Sequence, residues 1–287
     1  MSRTTPRYPI YVITKGRADT RMTIRALERM GVEYYAAIEP QEYALYAAHI
    51  DPARLLVTPF SNLGEGSIPV RNFIWDHALS IGAAKHWCVD DNIGKFCRLN
   101  NNLKVELFSG AFFRIIEDFT DRYTNVAMSG PQYWMFTPRR VLHPAFTMNT
   151  RVYSCILINH AIPYRWRGRY NEDTDLSLRC LKDGWCTLLI YALIQDKAAT
   201  MTVRGGNTES LYTGVEDGRL KMAQSLAEQH PDVTKITWKW NRWQHHVDYS
   251  RFKRNALIRA PGWDRYTGVD NYGMTLQQLD NAKRATR

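Results

Sequence analysis

Two short acidic segments hold the side chains in this sequence best suited to chemistry. Trp87-Cys88-Val89-Asp90-Asp91-Asn92 sets two carboxylates and an amide just past an apolar run that reads as a buried strand. At the carboxyl end of a parallel strand, such groups face the crevice where ligands bind. Mg2+ or Mn2+ is held by one or two carboxylates plus substrate phosphates, so the cluster suits a nucleotide-diphosphate site; a solvated turn or helix cap is the plain alternative. The second segment is Asn171-Glu172-Asp173-Thr174-Asp175, at the head of a helical run that continues to Arg179-Cys180 and Lys182-Asp183-Gly184. A helix start favours negative charge, and Asp173 or Thr174 suits the N-cap, which accounts for one of the three acids but hardly for all. An aspartate there, facing a cleft, can take a proton from an acceptor hydroxyl as it attacks the anomeric carbon of a sugar. Asp173 is the first candidate for that base, with Glu172 and Asp175 as alternatives.

Taken jointly, the two segments resemble a known pattern. Arg71-Asn72 ahead of Val89-Asp90-Asp91-Asn92, then Glu172-Asp173-x-Asp175-Leu176 ahead of Arg179 and Gly184, is similar to the GT-A glycosyltransferases over roughly Pro9 to Asn207. Closer still, Ile38-Glu39-Pro40, Ile68-Pro69-Val70-Arg71-Asn72, Trp87 to Ile93 and Arg204-Gly205-Gly206-Asn207-Thr208 resemble the TET-associated glycosyltransferases. That GT-A group is found largely in phages and is implicated in decorating 5-hydroxymethylpyrimidines in DNA. The resemblance implies donor contacts at Thr14, Lys15, Gly16, Arg17, Glu39, Arg71, Asn72, Asp90 and Asp91, with Arg204 and Asn207 near the phosphates. It implies a UDP-sugar donor and a divalent cation, Mn2+ or Mg2+. The third member of the acidic triplet is usually Asp and is Asn92 here, so Asp91, Asn92 and, at the end of the last apolar strand, Asp196 are the candidate ligands.

The elements that must position these residues are legible as alternating strand and helix patterns. Ile10 to Ile13 reads as a strand; Ala18 to Met30 reads as a helix with Ile24, Leu27 and Met30 on one face, stopped by Gly31. Strands near Tyr34–Ile38 and Leu55–Phe60 flank a helix around Gln41–His49. Further helices are expected over Val70–Ala84, Leu107–Tyr123 and Thr174–Lys182, and strands over His86–Val89, Val126–Ser129, Tyr153–Asn159 and Cys186–Ile194. The expected fold class is α/β: a Rossmann-like, mostly parallel central sheet flanked by helices, of GT-A type. A composition shift near Lys235 divides a catalytic domain, 1–234, from a C-terminal segment, 235–287.

Bulk properties narrow the partners. The 287 residues carry 38 Lys and Arg against 28 Asp and Glu, a formal net charge of +10, which favours a polyanionic partner. No leader pattern or membrane-length apolar run is present, so a cytoplasmic protein that neither spans nor anchors in a membrane is expected. Cys88, Cys97, Cys155, Cys180 and Cys186 lack CxxC spacing and read as reduced core thiols. Between Lys235 and Arg265 eight Lys or Arg stand against two Asp, interleaved with Trp238, Trp240, Trp243, Tyr249, Phe252 and Trp263. Cations that neutralise phosphates beside rings that stack on bases suit DNA, while Trp238 and Trp240 also alternate as in a half-buried strand. Candidate acceptor contacts are Lys239, Trp240, Arg242 and Trp243, together with Tyr133, Trp134, Trp166, Arg167 and Arg169.

The expected reaction is an inverting single displacement onto the hydroxymethyl group of 5-hydroxymethylcytosine or a related base in DNA, with Arg204 and the metal stabilising the leaving diphosphate. The rival readings are a GT-A enzyme acting on a polysaccharide, lipid or protein, and a non-catalytic DNA-binding protein on a degenerate transferase fold.

Overall fold

Residues 4–198, 218–262, 268–269 and 274–276 of the chain are described by a computed structural model. The first half runs β1 (Ile10–Ile13), α1 (Met22–Arg29), β2 (Tyr35–Ile38), α2 (Tyr43–Ala47), β3 (Leu55–Val57), α3 (Ile68–Ser80), β4 (Lys85–Asp90), β5 (Ile93–Asn100) and β6 (Leu103–Glu106). It continues through α4 (Ala111–Thr120), β7 (Val126–Tyr133), β8 (Phe146–Met148), β9 (Cys155–Asn159), α5 (Glu172–Lys182) and β10 (Cys186–Lys197). Then come α6 (Gly218–Gln229) and the hairpin β11 (Thr234–Lys239) and β12 (Arg242–Val247).

Strands β1 to β10 form one ten-stranded sheet in the order β3-β2-β1-β4-β9-β7-β10-β5-β6, with β8 pairing to β10. Pairing is parallel across β3-β2-β1-β4 and between β7 and β10; β9, β5 and β8 run against that direction. Seven of the ten strands therefore point the same way, and the ends of β1, β2, β3, β4, β7 and β10 emerge at one edge. The antiparallel β9 begins where those strands finish.

Alternation along the strands builds two cores. Ile10, Val12, Trp87 and Val89 face the cluster made with Ile24, Leu27, Phe112, Phe113 and Ile116 of α1 and α4. Tyr11 and Cys88 face the opposite cluster, with Ile74, Trp75, Leu176 and Cys180 of α3 and α5. A strand buried on both faces needs apolar side chains at successive positions, as Ile10-Tyr11-Val12 supplies. Gly31, at φ 63°, accepts the left-handed turn that closes α1. All five cysteines are free and buried, as expected of core thiols.

One stretch differs from expectation. The helix expected over Leu107–Tyr123 spans only Ala111–Thr120, and the residues before it form the antiparallel pair β5–β6. Its tight turn is Asn101-Asn102, both in the left-handed region, which asparagine tolerates better than other side-chain-bearing residues. Val233, just before the C-terminal segment, and Val247 and Phe252 within it pack with Leu178 and Leu181 of α5 and Leu226 of α6. Among the described residues no helix is long and apolar enough to cross a membrane.

Candidate active site

An open cleft of about 1130 Å³ lies along the edge where the parallel strands end. The loop after β1 contributes Thr14, Lys15 and Arg17, the end of β2 Glu39, the end of β4 Asp90, Asp91 and Asn92, and the end of β10 Asp196 and Lys197. Arg71 of α3 and Glu172 and Asp173 at the head of α5 face them. Residues scattered over most of the sequence thus meet because parallel strands deliver their loops to one side.

The groups are tied together by charge. Lys15 Nζ sits 2.7 Å from Glu39 Oε2 and 2.8 Å from Asn62 Oδ1. Burial works to raise Glu39, but Lys15, Gln41 and the Asn62 amide hold its carboxyl below the usual range. Thr14 shares a hydrogen bond of 2.7 Å with the buried Tyr46 hydroxyl. Arg17 pairs with Asp91. Arg71, only 3% exposed, reaches Asp90 at 3.3 Å, Glu172 at 3.4 Å and Asp173 at 3.2 Å. Lys197 Nζ lies 2.8 Å from Asp90 Oδ2 and 2.7 Å from Ser154 Oγ. Burial pushes Asp90 up; Lys197 and Arg71 overcome it and hold the carboxyl below its usual range.

Asp173 differs. Burial pushes its carboxyl up to about 7; Arg71 opposes this, and the neighbouring Glu172 and Asp90 add to it. The Ser154 amide donates to its Oδ2 at 3.3 Å. A carboxyl raised to near neutrality has the proton affinity that general-base work at neutral pH requires. Asn171, not Asp173 or Thr174, is the residue capping α5, at φ 55°, and its side chain donates to the Met222 carbonyl. The helix therefore starts two residues earlier than expected, and Glu172 and Asp173 both reach the cleft.

Several residues singled out in the sequence lie elsewhere. Asp175 is 1% exposed and is enclosed by Arg167 at 3.0 Å, Arg179 at 2.8 Å and His230 at 2.9 Å. That cage turns it into the helix packing and away from the cleft, and Arg167 is committed to it. Trp166 is buried, with the Arg71 guanidinium 4.5 Å from its ring, so it supports Arg71 from behind. Asn72 bonds both main-chain groups of Trp166 and does not line the cleft. Arg169, exposed, stacks near Tyr170. Gly16 donates its amide to Glu42 at 2.5 Å. Arg204, Gly205, Gly206, Asn207, Thr208, Trp263 and Arg265 lie outside the described residues.

The hairpin β11–β12 also contributes to the wall of the cleft. Arg242, Trp243, Gln244 and His245 line the cleft, as do Tyr133 and Trp134. Trp238 pairs edge-on with Trp243 at 5.0 Å, yet Trp238 remains 54% and Trp240 79% exposed, so neither is the half-buried strand residue their alternation suggested. Trp240 and Asn241 form the two-residue tip, both at positive φ, with Lys239 and Arg242 as the closing pair. Lys197, Ser154, Tyr153 and Arg151 also line the cleft and were not anticipated. Lys197 had a signal, since it follows Asp196 directly on the last apolar strand.

Asp90 is neutralised by Lys197 and Arg71, Asp91 by Arg17, and the remaining member of the triplet offers only the neutral Asn92 Oδ1, buried and accepting no hydrogen bond. Among the described residues no group of three or more His, Cys, Asp or Glu side chains is placed to hold a metal. Mg2+ requires near-octahedral oxygen at short distance, and these carboxylates already carry protein cations. Asp196, the third candidate ligand, also lines the cleft, but among the described residues this set does not fit the metal that the resemblance implied.

The sequence profile of the TET-Associated Glycosyltransferases matches residues 8–206, most of the chain. No curated protein is matched by the sequence. Among solved structures the chain is similar to a candidate nucleotide-diphospho-sugar transferase from Desulfovibrio desulfuricans G20, at a TM-score of 0.35 and 10% identity, covering 80% of this chain and 99% of that one. With the profile spanning β1 to β10 and all of the acidic residues that line the cleft, the chain belongs to the TET-associated glycosyltransferase family and is a nucleotide-sugar-dependent glycosyltransferase.

Proposed function

We propose that this glycosyltransferase moves a sugar from a UDP-sugar to the hydroxymethyl group of 5-hydroxymethylcytosine, or a related hydroxymethylpyrimidine, in DNA, with inversion at the anomeric carbon. The observation that carries the acceptor is the juxtaposition of the cleft with a basic, tryptophan-tipped hairpin. Arg242 and Trp243 line the cleft itself, while Trp238 and Trp240 stand exposed beside it. Aromatic faces stack on bases at about 1–3 kcal/mol each, and cations neutralise phosphates, so this wall suits a strand whose target nucleotide is turned outward.

In this reading Thr14, Lys15, Arg17, Glu39 and Arg71 hold the donor, and Asp173 removes the acceptor proton. The hydroxyl oxygen bonds the anomeric carbon as the bond to the diphosphate oxygen breaks, with the electron pair leaving on the nucleotide. A single attack opposite the leaving group inverts the centre. Glu172 helps to keep Arg71 in place through its ion pair and its bond to Ser67 at 2.9 Å.

The test is nucleoside mass spectrometry after incubation with a panel of UDP-sugars and either 5-hydroxymethylcytosine DNA or unmodified DNA. A hexose or N-acetylhexosamine on the hydroxymethylated base alone supports the proposal. Donor hydrolysis without a DNA adduct sends the acceptor to another class, such as a polysaccharide, lipid or protein.

A further inference from the structure

Lys197 has no role in the proton transfer or the acceptor wall, yet the fold brings it to the centre of the donor-side cleft. It ends β10, whose pairing with β5 skips a residue there: Asp196 faces Lys95 and Lys197 faces Ile93, with Gly94 between them unmatched. Bulges of this kind re-aim side chains beside active sites. The next residue, Ala198, donates its amide to the Asn92 carbonyl at 2.9 Å, which pins the end of β10 against the acidic triplet. The ammonium is thereby seated on Asp90 Oδ2 at 2.8 Å and Ser154 Oγ at 2.7 Å, with the side chain 19% exposed.

An ammonium carries three N–H donors. Two are engaged by Asp90 and Ser154, and the third is left for an oxygen in the cleft. Arg17, on Asp91, adds a second fixed cation at the same strand ends.

We propose that the Lys197 ammonium, seated on Asp90 and Ser154 beside Arg17, takes the position and charge-neutralising role of a divalent cation, so that the nucleotide diphosphate is bound and released without metal. This rests on the reading of the cleft as the donor site. During transfer Lys197 donates a hydrogen bond to a diphosphate oxygen and keeps its proton. The acceptor proton goes to Asp173, and the electron pair of the broken bond stays on the departing nucleotide.

The experiment is calorimetric titration of wild type, Lys197→Met and Lys197→Arg with a panel of nucleoside diphosphates including UDP, in EDTA and in Mn2+, with thermal melts as folding controls. Wild type is expected to bind equally in both. Lys197→Met is expected to lose at least tenfold in EDTA, while Lys197→Arg retains metal-free binding. Wild-type binding that requires Mn2+, or Lys197→Met binding unchanged in EDTA, overturns the proposal while leaving the donor cleft standing. No binding of any nucleoside diphosphate in either condition overturns the donor reading and the proposal with it. If Lys197→Met fails to fold, the wild-type comparison decides alone.

Discussion

Asp173 and Asp175, two residues apart on one helix, have opposite environments and should fail in opposite ways. Asp173→Asn is expected to lower kcat by about 10²- to 10⁴-fold, the usual worth of a general base, with nucleotide affinity kept. In wild type, kcat/KM should rise as pH climbs toward about 7, where the Asp173 carboxyl loses its proton, and level off above. Because its folded pKa is raised, its contribution to stability is fullest below the ordinary aspartate value and is lost as pH rises through about 7. Asp173→Asn should therefore melt higher than wild type at alkaline pH, a difference that scanning calorimetry can read. Asp175 is the reverse. Burial pushes it up, but His230, Arg167 and Arg179 hold it below the usual range, so its stabilisation is present above that range and lost on acidification. Asp175→Ala leaves Arg167, Arg179 and His230 without their carboxylate partner and should cost about 3–5 kcal/mol in denaturant titration. Both acids are plain in the sequence as helix-start residues; what separates them is the closing of Arg167, from the loop before α5, and His230, 55 residues further on, around Asp175, which no local pattern carries. Lys197 was hidden for the same reason: it meets Asp90 across 107 residues of sequence, through the strand order β4-β9-β7-β10.

At the scale of elements, the strands and helices that bring donor-side residues to the cleft were readable because each is short and patterned. Ile10–Ile13 and Cys186–Ile194 are apolar at almost every position, as doubly covered strands must be, and Met22–Arg29 shows helical spacing. Strands β5 and β6 were not, since the alternation in Ile93–Asn100 is broken by Gly94 and three of eight residues in β5 and two of four in β6 are exposed. The hairpin β11–β12 was read only as alternation, without its turn. Its tip places Trp240 at φ 52°, where a bulky side chain costs about 1–2 kcal/mol. A strained, exposed ring at a turn that favours glycine or asparagine points to use of the ring. Trp240→Gly is accordingly expected to raise Tm while weakening binding to 5-hydroxymethylcytosine DNA by about 1–3 kcal/mol, measured by fluorescence anisotropy. Weaker melting with unchanged DNA affinity sinks this assignment.

For the whole molecule, the net charge of +10 and the position of the hairpin bear on how DNA is held. Affinity for DNA should fall linearly in log–log form with salt, and Arg242→Ala should reduce the slope by about 1 if that guanidinium neutralises one phosphate. Affinity for UDP in the same variant should change little, because Arg242 belongs to the hairpin and not to the strand-end loops that carry Lys15 and Arg17. The composition alone announced a polyanionic partner; it did not show that the cations and tryptophans collect on one two-stranded element.

That hairpin leaves the body and returns to it through a single closing pair, Thr234 opposite Val247, next to Val233 in the cluster on α5 and α6. Everything that would recognise the acceptor through β11 and β12 is thus carried on a cassette with adjacent ends, while the strand-end loops that would grip the nucleotide are woven into the central sheet. Such an arrangement lets acceptor range drift, or be exchanged between relatives by grafting residues 234–247, while the donor chemistry is inherited intact.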